Sequence, residues 1–535
     1  MFHEAPNEVP ADNRSSVPEP ITISRGSAFG KPLPHQSLVQ PLVVIGVRLL
    51  QRLLHVRFVM FILFLVSIGQ WSLASQPPTS ARGPLSVHPS NPRYFTDGTT
   101  NPDGSLRAVY LAGSHVWNNM ADIGQGDPPS TFDFDAYLDF LKRHHHNFIR
   151  LWRKEETTWD TRWSPEAGKR GVRNAVAPHP WARTGPGNAL DGKPKFDLNT
   201  FDPAYFERLR SRVKAAGQRE IYVSIMLFEG YVLQHVPNSW NDHPFHRDNN
   251  ISGIDGDPNC DGLGLETHTL DIPAVTHLQE TYIQHVIDAV GDLDNVLYEI
   301  SNESGSYSTE WQSHLVRFIK KYEANRLKQH PVGMTVQWSR NLQHRGTNHT
   351  LIESPADWIS LGSNVPDGRQ YQLDPPPASG RKVILLDTDH LWGIGGNIGW
   401  VWKSFTRGYS PLFMDPYDNS VLGNTPPTDW NAMRASLGQT RRLADRVDLA
   451  AMIPCEELAS TSYCLVQPNT AYIAYLPEGG NVTVDLRDTT GSFQVDWIAP
   501  VEGTIIRDLP TPGRAMQQFA APYRGAAVLF LSRTR

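Results

Sequence analysis

Eight short apolar segments alternate with amphipathic stretches between residues 86 and 447, and this alternation restricts the fold more than any other feature. Continuous apolar segments are typical of strands that are buried on both faces of a parallel sheet. We predict strands over residues 107–112, 147–152, 220–227, 295–301, 332–337, 357–361, 383–388 and 411–415. Strands that alternate with helices in this number predict an α/β fold, a (β/α)8 TIM barrel with long loops.

The helices of this barrel are predicted from apolar residues that recur every three or four positions. They cover residues 133–144, 203–216, 275–290, 309–325 and 431–446. The pattern changes after the barrel, because residues 448–535 contain short alternating runs separated by Gly and Pro. Runs at 471–475, 481–485, 494–497 and 526–531 predict a small antiparallel β-sandwich.

The N-terminal region has the composition of a leader. Residues 1–57 are rich in Pro, Ser and polar residues, which predicts a long disordered leader. Residues 58–74 form a short apolar run after several basic residues and end in small ones, as in a signal peptide. We therefore expect an exported protein, secreted or periplasmic, that is cleaved after Ala74. An uncleaved segment acting as a membrane anchor is the alternative.

Overall charge and cysteine content exclude some functions. The formal net charge is −6 and charged residues are 19% of the chain, so no basic surface for nucleic acid is expected. The chain has three cysteines. In an exported protein Cys455 and Cys464 can form a disulfide and Cys260 would remain free, whereas three unpaired thiols are the other interpretation.

Acidic residues end two of the predicted strands. Glu303 follows the fourth segment, and Asp387 and Asp389 end the seventh. In a TIM barrel the functional side chains gather at the C-terminal ends of the strands. Two carboxyl groups at such positions are what the cleavage of a glycosidic bond requires. Glu299 lies on the same face as Glu303 but deeper, as expected of a structural acid.

These residues resemble a known family. The Asn302-Glu303 strand end, the strand-seven acid and the Phe148–Leu151 segment resemble clan A glycoside hydrolases, the cellulase-like and apiosidase-like TIM barrels. Residues 471–479 and 496–503 resemble the collagen-binding type of β-sandwich that commonly follows such barrels. The resemblance covers residues 86–535. It implies that Glu303 is the acid/base and that the strand-seven acid is the nucleophile.

The chain departs from this family at the nucleophile, where Asp replaces the usual Glu. Alignment of the apolar run places Asp387 at the nucleophile position, and Asp389 is the alternative. Carboxyl groups about 5–5.5 Å apart retain the anomeric configuration, and groups about 6.5–9.5 Å apart invert it. The resemblance implies retention, although the shorter Asp side chain leaves inversion open.

Several other residues are candidates for the carbohydrate site. Glu303 needs a proton, which a nearby carboxylate favours, while Arg150 would keep the nucleophile ionised. Asn302, His115 and His390 can hydrogen-bond sugar hydroxyls, although a single His is often structural. Flat aromatic side chains stack on sugar rings. The candidates of this kind near strand ends or in long loops are Trp117, Trp152, Trp159, Trp338 and Trp392.

One loop resembles the start of a calcium-binding loop. Asp257, Asn259 and Asp261, followed by Gly262, match its first half, but His268 replaces the closing Glu. A structural calcium ion is one interpretation and a polar turn is the other. The chemistry itself requires no cofactor. Two further functions remain open: a metal-dependent hydrolase that uses Asp387, Asp389 and His390, and a carbohydrate-binding protein without catalysis.

Overall fold

A computed structural model describes residues 80–423 and 429–534. An eight-stranded parallel sheet runs in the order β1-β8-β7-β6-β5-β4-β3-β2. The sheet closes into a barrel because the Asn147 backbone N–H donates to the Ala112 carbonyl oxygen at 2.9 Å, beside β1 and β2. The strands are β1 Gly113–His115, β2 Phe148–Leu151, β3 Tyr222–Glu229, β4 Val296–Asn302, β5 Val332–Thr335, β6 Trp358–Ser360, β7 Val383–Asp387 and β8 Ser410–Met414.

The (β/α)8 prediction is confirmed, but the first strand was misplaced. It was predicted at residues 107–112 and lies at Gly113–His115. The earlier apolar run has another role, because Val109 forms an antiparallel bridge with Phe95 outside the barrel sheet. Leu111 packs into an apolar cluster with Phe95 and residues of several barrel strands. An apolar run that covers the end of a barrel has the same composition as a buried strand.

A helix follows each barrel strand. The helices are α1 Phe134–Arg143, α2 Pro203–Gly217, α3 Pro273–Val290, α4 Thr309–Glu323, α5 Asn348–Glu353, α6 Arg369–Leu373, α7 Ile398–Thr406 and α8 Asn431–Ala444. Local sequence explains their positions. In α1 the Asp133 side chain accepts a hydrogen bond from the Ala136 N–H, and Phe134, Tyr137, Leu138 and Leu141 are buried. The five predicted helices are found within two residues at each end.

The barrel interior changes from apolar to charged along the strands. Phe148, Leu297 and Leu385 belong to one buried apolar cluster near the start of β2, β4 and β7. Side chains two residues apart on a strand point to the same face. The next inward positions on these strands are therefore Arg150, Glu299 and Asp387, all buried. The charged layer lies towards the C-terminal strand ends, where TIM barrels place their functional groups.

The C-terminal region is an antiparallel sandwich, as predicted. A six-stranded sheet runs β9-β10-β11-β16-β13-β14 and faces a two-stranded sheet of β12 and β15. The strands are β9 Ile453–Pro454, β10 Cys464–Gln467, β11 Ala471–Leu476, β12 Gly479–Asp485, β13 Ser492–Ile498, β14 Ile505–Pro512, β15 Met516–Arg524 and β16 Ala527–Arg533. Sequence patterns missed β9, β10, β14 and β15. Strand β14 is exposed at all but one of its residues and so has no apolar face to recognise.

The sandwich packs on the barrel helices. Trp402 and Phe405 of α7 share one buried cluster with Ile473 and Phe530 of the sandwich. The Trp402 Nε1–H donates to the Pro500 carbonyl oxygen at 3.2 Å across the same contact. The Cys455 backbone N–H donates to the Cys464 carbonyl oxygen, and both thiols are free.

The remaining elements are short. The strands among them are Ser86–Val87, Phe95–Thr96, Asp122–Gly124, Thr158–Asp160, Arg173–Ala177, Trp181–Ala182 and Asp197–Phe201. The leader, the signal segment and the predicted cleavage point after Ala74 lie outside the described residues. Across residues 80–423 and 429–534, no helix combines the length and apolarity that a membrane crossing requires.

Candidate active site

A cavity of about 230 Å³ opens at the C-terminal ends of the barrel strands. Residues at the ends of seven strands, or in the loops after them, line it. They are Trp117, Trp152, Lys154, Trp159, Ser164, Pro165, Glu166, Glu229, Tyr231, Asn302, Glu303, Trp338, Arg340, Asn364, Asp389, His390, Leu391, Trp392 and Gly393. Of the twelve predicted carbohydrate-site residues, nine therefore lie in one cavity, namely Glu303, Asp389, Asn302, His390, Trp117, Trp152, Trp159, Trp338 and Trp392.

Arg150 lies beneath this cavity at the centre of a buried charge network. Its Nη1 donates to Asp387 at 3.2 Å and to Asp389 at 3.0 Å. Its Nε and Nη2 donate to the Glu299 carboxylate at 3.0 and 2.6 Å. One guanidinium thus faces three carboxylates. Arg150 can do this because arginine carries five N–H donors in one plane and stays charged when buried.

The two strand-seven acids occupy different places. Asp387 is fully buried, and its Oδ2 accepts from His115 Nε2 at 2.7 Å, while its Oδ1 accepts from the Asp389 backbone N–H at 3.0 Å. His115 is held in turn by the Trp152 indole N–H, which donates to its Nδ1 at 2.9 Å. Asp389 lines the cavity. The sequence left both acids open as nucleophiles, and of the two only Asp389 is among the cavity-lining residues.

Glu303 is held in an unusual backbone conformation directly after β4. Its φ is +51°, a left-handed conformation that a residue with a side chain adopts at a cost of about 1–2 kcal/mol. The Gln234 side-chain amide donates to the Glu303 carbonyl oxygen at 2.6 Å. The next residue, Ser304, is hydrogen-bonded to His268 Nδ1 at 3.0 Å and to Ser301 at 2.6 Å. These contacts fix the turn that presents Glu303 to the cavity.

The environment separates the protonation behaviour of the three acids. Burial, followed by the negative charges of Asp389 and Glu229, raises the pKa of Glu303 well above its usual value. Burial also raises the pKa of Asp389 to about 6, with Asp387 adding to the rise and Arg150 opposing it. Burial acts in the same direction on Asp387, but His115 and Arg150 outweigh it, so the pKa of Asp387 is lowered.

Asn302 and His390 are locked together beside these acids. Burial and the nearby Arg150 charge lower the pKa of His390, so its imidazole is neutral. Its Nε2 donates to Asn302 Oδ1 at 3.1 Å, and its Nδ1 is 2.7 Å from the Ser360 hydroxyl. Arg150 donates to the same Asn302 oxygen at 2.5 Å. The side-chain oxygen of Asn302 is therefore occupied, and its amide nitrogen is the group left for a ligand.

Aromatic side chains form much of the wall. Trp338 stacks on Tyr231 with ring centroids 6.1 Å apart, and Trp392 packs edge-on against Trp400. Among the described residues, three buried cavity-lining groups have no hydrogen-bond partner, namely Trp159 Nε1, Ser164 Oγ and Trp338 Nε1. Buried polar groups normally have a partner, so these three are exceptions within the cavity wall.

Sequence reasoning missed several charged cavity residues. Glu229 ends β3, two residues beyond the predicted strand, and lies 3.6 Å from the Lys154 ammonium group. That ammonium group also lies over the Trp159 ring at 4.2 Å. An acidic residue within two positions of the end of a predicted strand is a signal that could have identified Glu229. Glu166 and Arg340 lie in loops, and no local pattern marks them.

The geometry also bears on the two metal hypotheses. Asp387 is surrounded by Arg150 and His115 and has no open coordination position. Across residues 80–423 and 429–534, no group of three or more His, Cys, Asp or Glu side chains is placed to hold a metal ion. In the other loop the Asp257 carboxylate accepts from the backbone N–H groups of Asp261 and Gly262 at 3.2 and 2.9 Å. Asn259 donates to Asp261 at 3.2 Å. These contacts form a polar turn, and calcium binding there stays a prediction.

Comparison with solved structures shows that the fold is similar to that of solved glycoside hydrolases. A glycoside hydrolase family 5 structure from Bacteroides vulgatus ATCC 8482 is 11% identical with a TM-score of 0.53, covering 84% of this chain and 94% of that one. Another structure, described as a glycoside hydrolase, is 12% identical with a TM-score of 0.51, covering 84% and 97%. At these identities the similarity establishes the fold.

Sequence comparisons are less informative. A family model described as a domain of unknown function, DUF6298, matches residues 170–344. This segment runs from the loop after β2 to the loop after β5 and includes Glu303. A search of curated proteins gives no match.

Proposed function

We propose that this protein is a glycoside hydrolase in which Glu303 is the general acid/base and Asp389 is the nucleophile. The observation that carries the proposal is that these two carboxyl groups line one aromatic-walled cavity and differ in protonation behaviour. A carboxyl that keeps its proton beside one that ionises is the pair that glycosidic cleavage needs. Asp387 then acts as a positioning residue that holds Arg150 and His115.

The reaction proceeds in two steps. Glu303 gives its proton to the glycosidic oxygen while the Asp389 carboxylate attacks the anomeric carbon. The bond from that carbon to the glycosidic oxygen breaks, and a bond to Asp389 forms. Glu303, now ionised, takes a proton from water, whose oxygen attacks the same carbon and releases Asp389. The outcome is retention of configuration, which NMR of the first-formed product tests.

Neighbouring groups support this reaction. Arg150 donates to Asp389 and stabilises its ionised form before attack. Negative charge on Asp389 in turn raises the pKa of Glu303, so that the two groups reinforce the required protonation states. In this proposal the Asn302 amide nitrogen donates to a hydroxyl next to the reacting carbon, a contact that strengthens in the transition state. The proposed partner is a carbohydrate substrate. The sequence of residues 58–74 favours export, and N-terminal sequencing of the exported protein tests whether cleavage follows Ala74.

The experiment compares two leaving groups in the Glu303→Gln variant. Natural sugar leaving groups need the proton of Glu303, so hydrolysis of oligosaccharides should fall about 10²–10⁴-fold. Dinitrophenolate is a leaving group that departs without a proton. The kcat/KM for dinitrophenyl glycosides should therefore fall far less. Glu323→Gln is the matched control, because Glu323 is a buried Glu that pairs with His330 away from the cavity. Equal losses of kcat/KM, which reports the glycosylation step, on both substrates would contradict the assignment of Glu303.

A further inference from the structure

A segment of the loop after β2 covers part of the cavity. This segment, residues 158–177, is called the β2 roof here. It contains the strands Thr158–Asp160 and Arg173–Ala177 and, between them, the turns Thr161–Trp163 and Pro165–Arg170. The first strand pairs with the second, and the second pairs with Asp122–Gly124 from the loop after β1. Four residues of the β2 roof, Trp159, Ser164, Pro165 and Glu166, line the cavity.

The β2 roof contacts loops that follow three other strands, β5, β7 and β8. From the loop after β5, Arg340 donates through Nη2 to the Trp163 carbonyl oxygen at 3.2 Å. From the loop after β8, the Val421 carbonyl oxygen accepts from the Asn174 side-chain amide at 3.0 Å. In the loop after β7, a Cβ atom added to Gly393 would lie 2.6 Å from the Glu166 carboxylate. Gly393 also has a φ of +79°, a backbone conformation that favours glycine.

These contacts define where the β2 roof runs. In a closed barrel of eight strands in sequential order, β6 lies opposite β2, and β5 and β7 flank it. A segment that starts at β2 and contacts the loops after β5 and β7 therefore crosses the mouth of the barrel. A polysaccharide chain that lies across the mouth would have to pass through this segment. The active site is consequently a pocket and not a groove open at both ends.

We infer that the enzyme removes single sugars from the non-reducing ends of glycans, with the β2 roof excluding cleavage inside a chain. The inference rests on the proposed function. The attacked anomeric carbon belongs to the sugar that contacts Asp389 inside the pocket. The rest of the substrate is attached through the oxygen that Glu303 protonates, and it leaves through the opening. A sugar enclosed in this way carries no further residue on its other side.

Cavity size supports the same conclusion. Pockets that hold drug-sized ligands measure about 300–1,000 Å³. The volume here is about 230 Å³, which suits a ligand smaller than these. The residues that carry the unpartnered polar groups Trp159 Nε1, Ser164 Oγ and Trp338 Nε1 line the cavity, and Trp159 and Ser164 belong to the β2 roof itself. A terminal sugar has one more free hydroxyl than an internal one, and such groups can bind it.

The test uses full-length protein and oligosaccharides of glucose, mannose, xylose, galactose and arabinose, two to six units long, with a fluorescent label at the reducing end. Terminal cleavage gives a first labelled product that is one unit shorter than the substrate, for every length that reacts. First products of mixed lengths would overturn the inference and leave the proposed function intact. Absence of hydrolysis across these oligosaccharides and the matching aryl glycosides would overturn both.

A variant pair tests the β2 roof. Arg340→Ala removes the hydrogen bond to the Trp163 carbonyl oxygen, and the ratio of internal to terminal cleavage should rise severalfold. Arg162→Ala is the control, because Arg162 lies in the β2 roof but pairs with Asp160 of the same segment. Its ratio should equal that of the wild type. A ratio that stays unchanged in Arg340→Ala would overturn the assignment of the β2 roof as the specificity determinant.

Discussion

The proposed nucleophile is expected to destabilise the folded protein at neutral pH. Folding raises the pKa of Asp389 to about 6, whereas an exposed Asp titrates near 3.9. The folded state therefore binds the proton more tightly than the unfolded state. Ionisation above pH 6 then favours unfolding, and each pKa unit is worth about 1.4 kcal/mol. The expected destabilisation is about 3 kcal/mol above pH 6, and it disappears near pH 4.

Asp389→Asn should remove this effect. Asn has nearly the same shape, it carries no charge at any pH, and its side-chain oxygen can still accept from Arg150. We expect the free energy of unfolding to increase by up to about 3 kcal/mol at pH 8, with a gain that shrinks as the pH falls from 6 to 4. Activity on all glycosides should be abolished. Substitutions at active sites often increase stability in this way while they reduce activity.

Asp387→Asn provides a control of opposite sign two residues away. Because its folded pKa is lowered, Asp387 contributes stability that is present at neutral pH and is lost as the pH falls through its folded pKa. Breaking its buried pairs with His115 and Arg150 should cost about 3 kcal/mol or more at pH 8. Urea denaturation followed by tryptophan fluorescence, at several values between pH 4 and 8, measures both variants. A gain for Asp389→Asn that does not depend on pH, or a loss at pH 8, would refute the reasoning.

Three further predictions concern pH, positioning and calcium. The kcat/KM should rise with pH through about 6 as Asp389 ionises and fall above the raised pKa of Glu303; a profile that is flat from pH 5 to 9 would contradict this. His268→Ala removes a hydrogen-bond partner of Ser304 and Glu155. It should lower the free energy of unfolding, measured by urea denaturation, by about 1–3 kcal/mol, and it should lower kcat more than it raises KM. An unchanged kcat would show that the Ser304 contact does not position Glu303. If calcium binds at Asp257 and Asp261, EDTA should lower the melting temperature and added calcium should restore it, whereas an unchanged melting temperature would favour the polar turn.

The fold could be predicted because its signals are local. Apolar runs and three- to four-residue periodicity gave seven of the eight barrel strands, the main helices and the sandwich. The same reasoning placed Glu303 and both strand-seven acids at strand ends, because strand order alone fixes which edge of a parallel barrel they reach. The first barrel strand was misplaced because the apolar run at 107–112 packs over the end of the barrel. Such a run has the same apolar composition as a buried strand.

The sequence by itself determined the barrel, the sandwich and the strand-end acids. Only the tertiary structure decided which strand-seven acid reaches the cavity, since Asp387 and Asp389 differ in the partners that surround them and not in local pattern. The contributions of Glu166 and Arg340, and the path of the β2 roof, also came from the structure. Loops that meet across the mouth are far apart in the chain, and their contacts depend on where the barrel places their ends. A single sequence carries no periodic signal for such contacts.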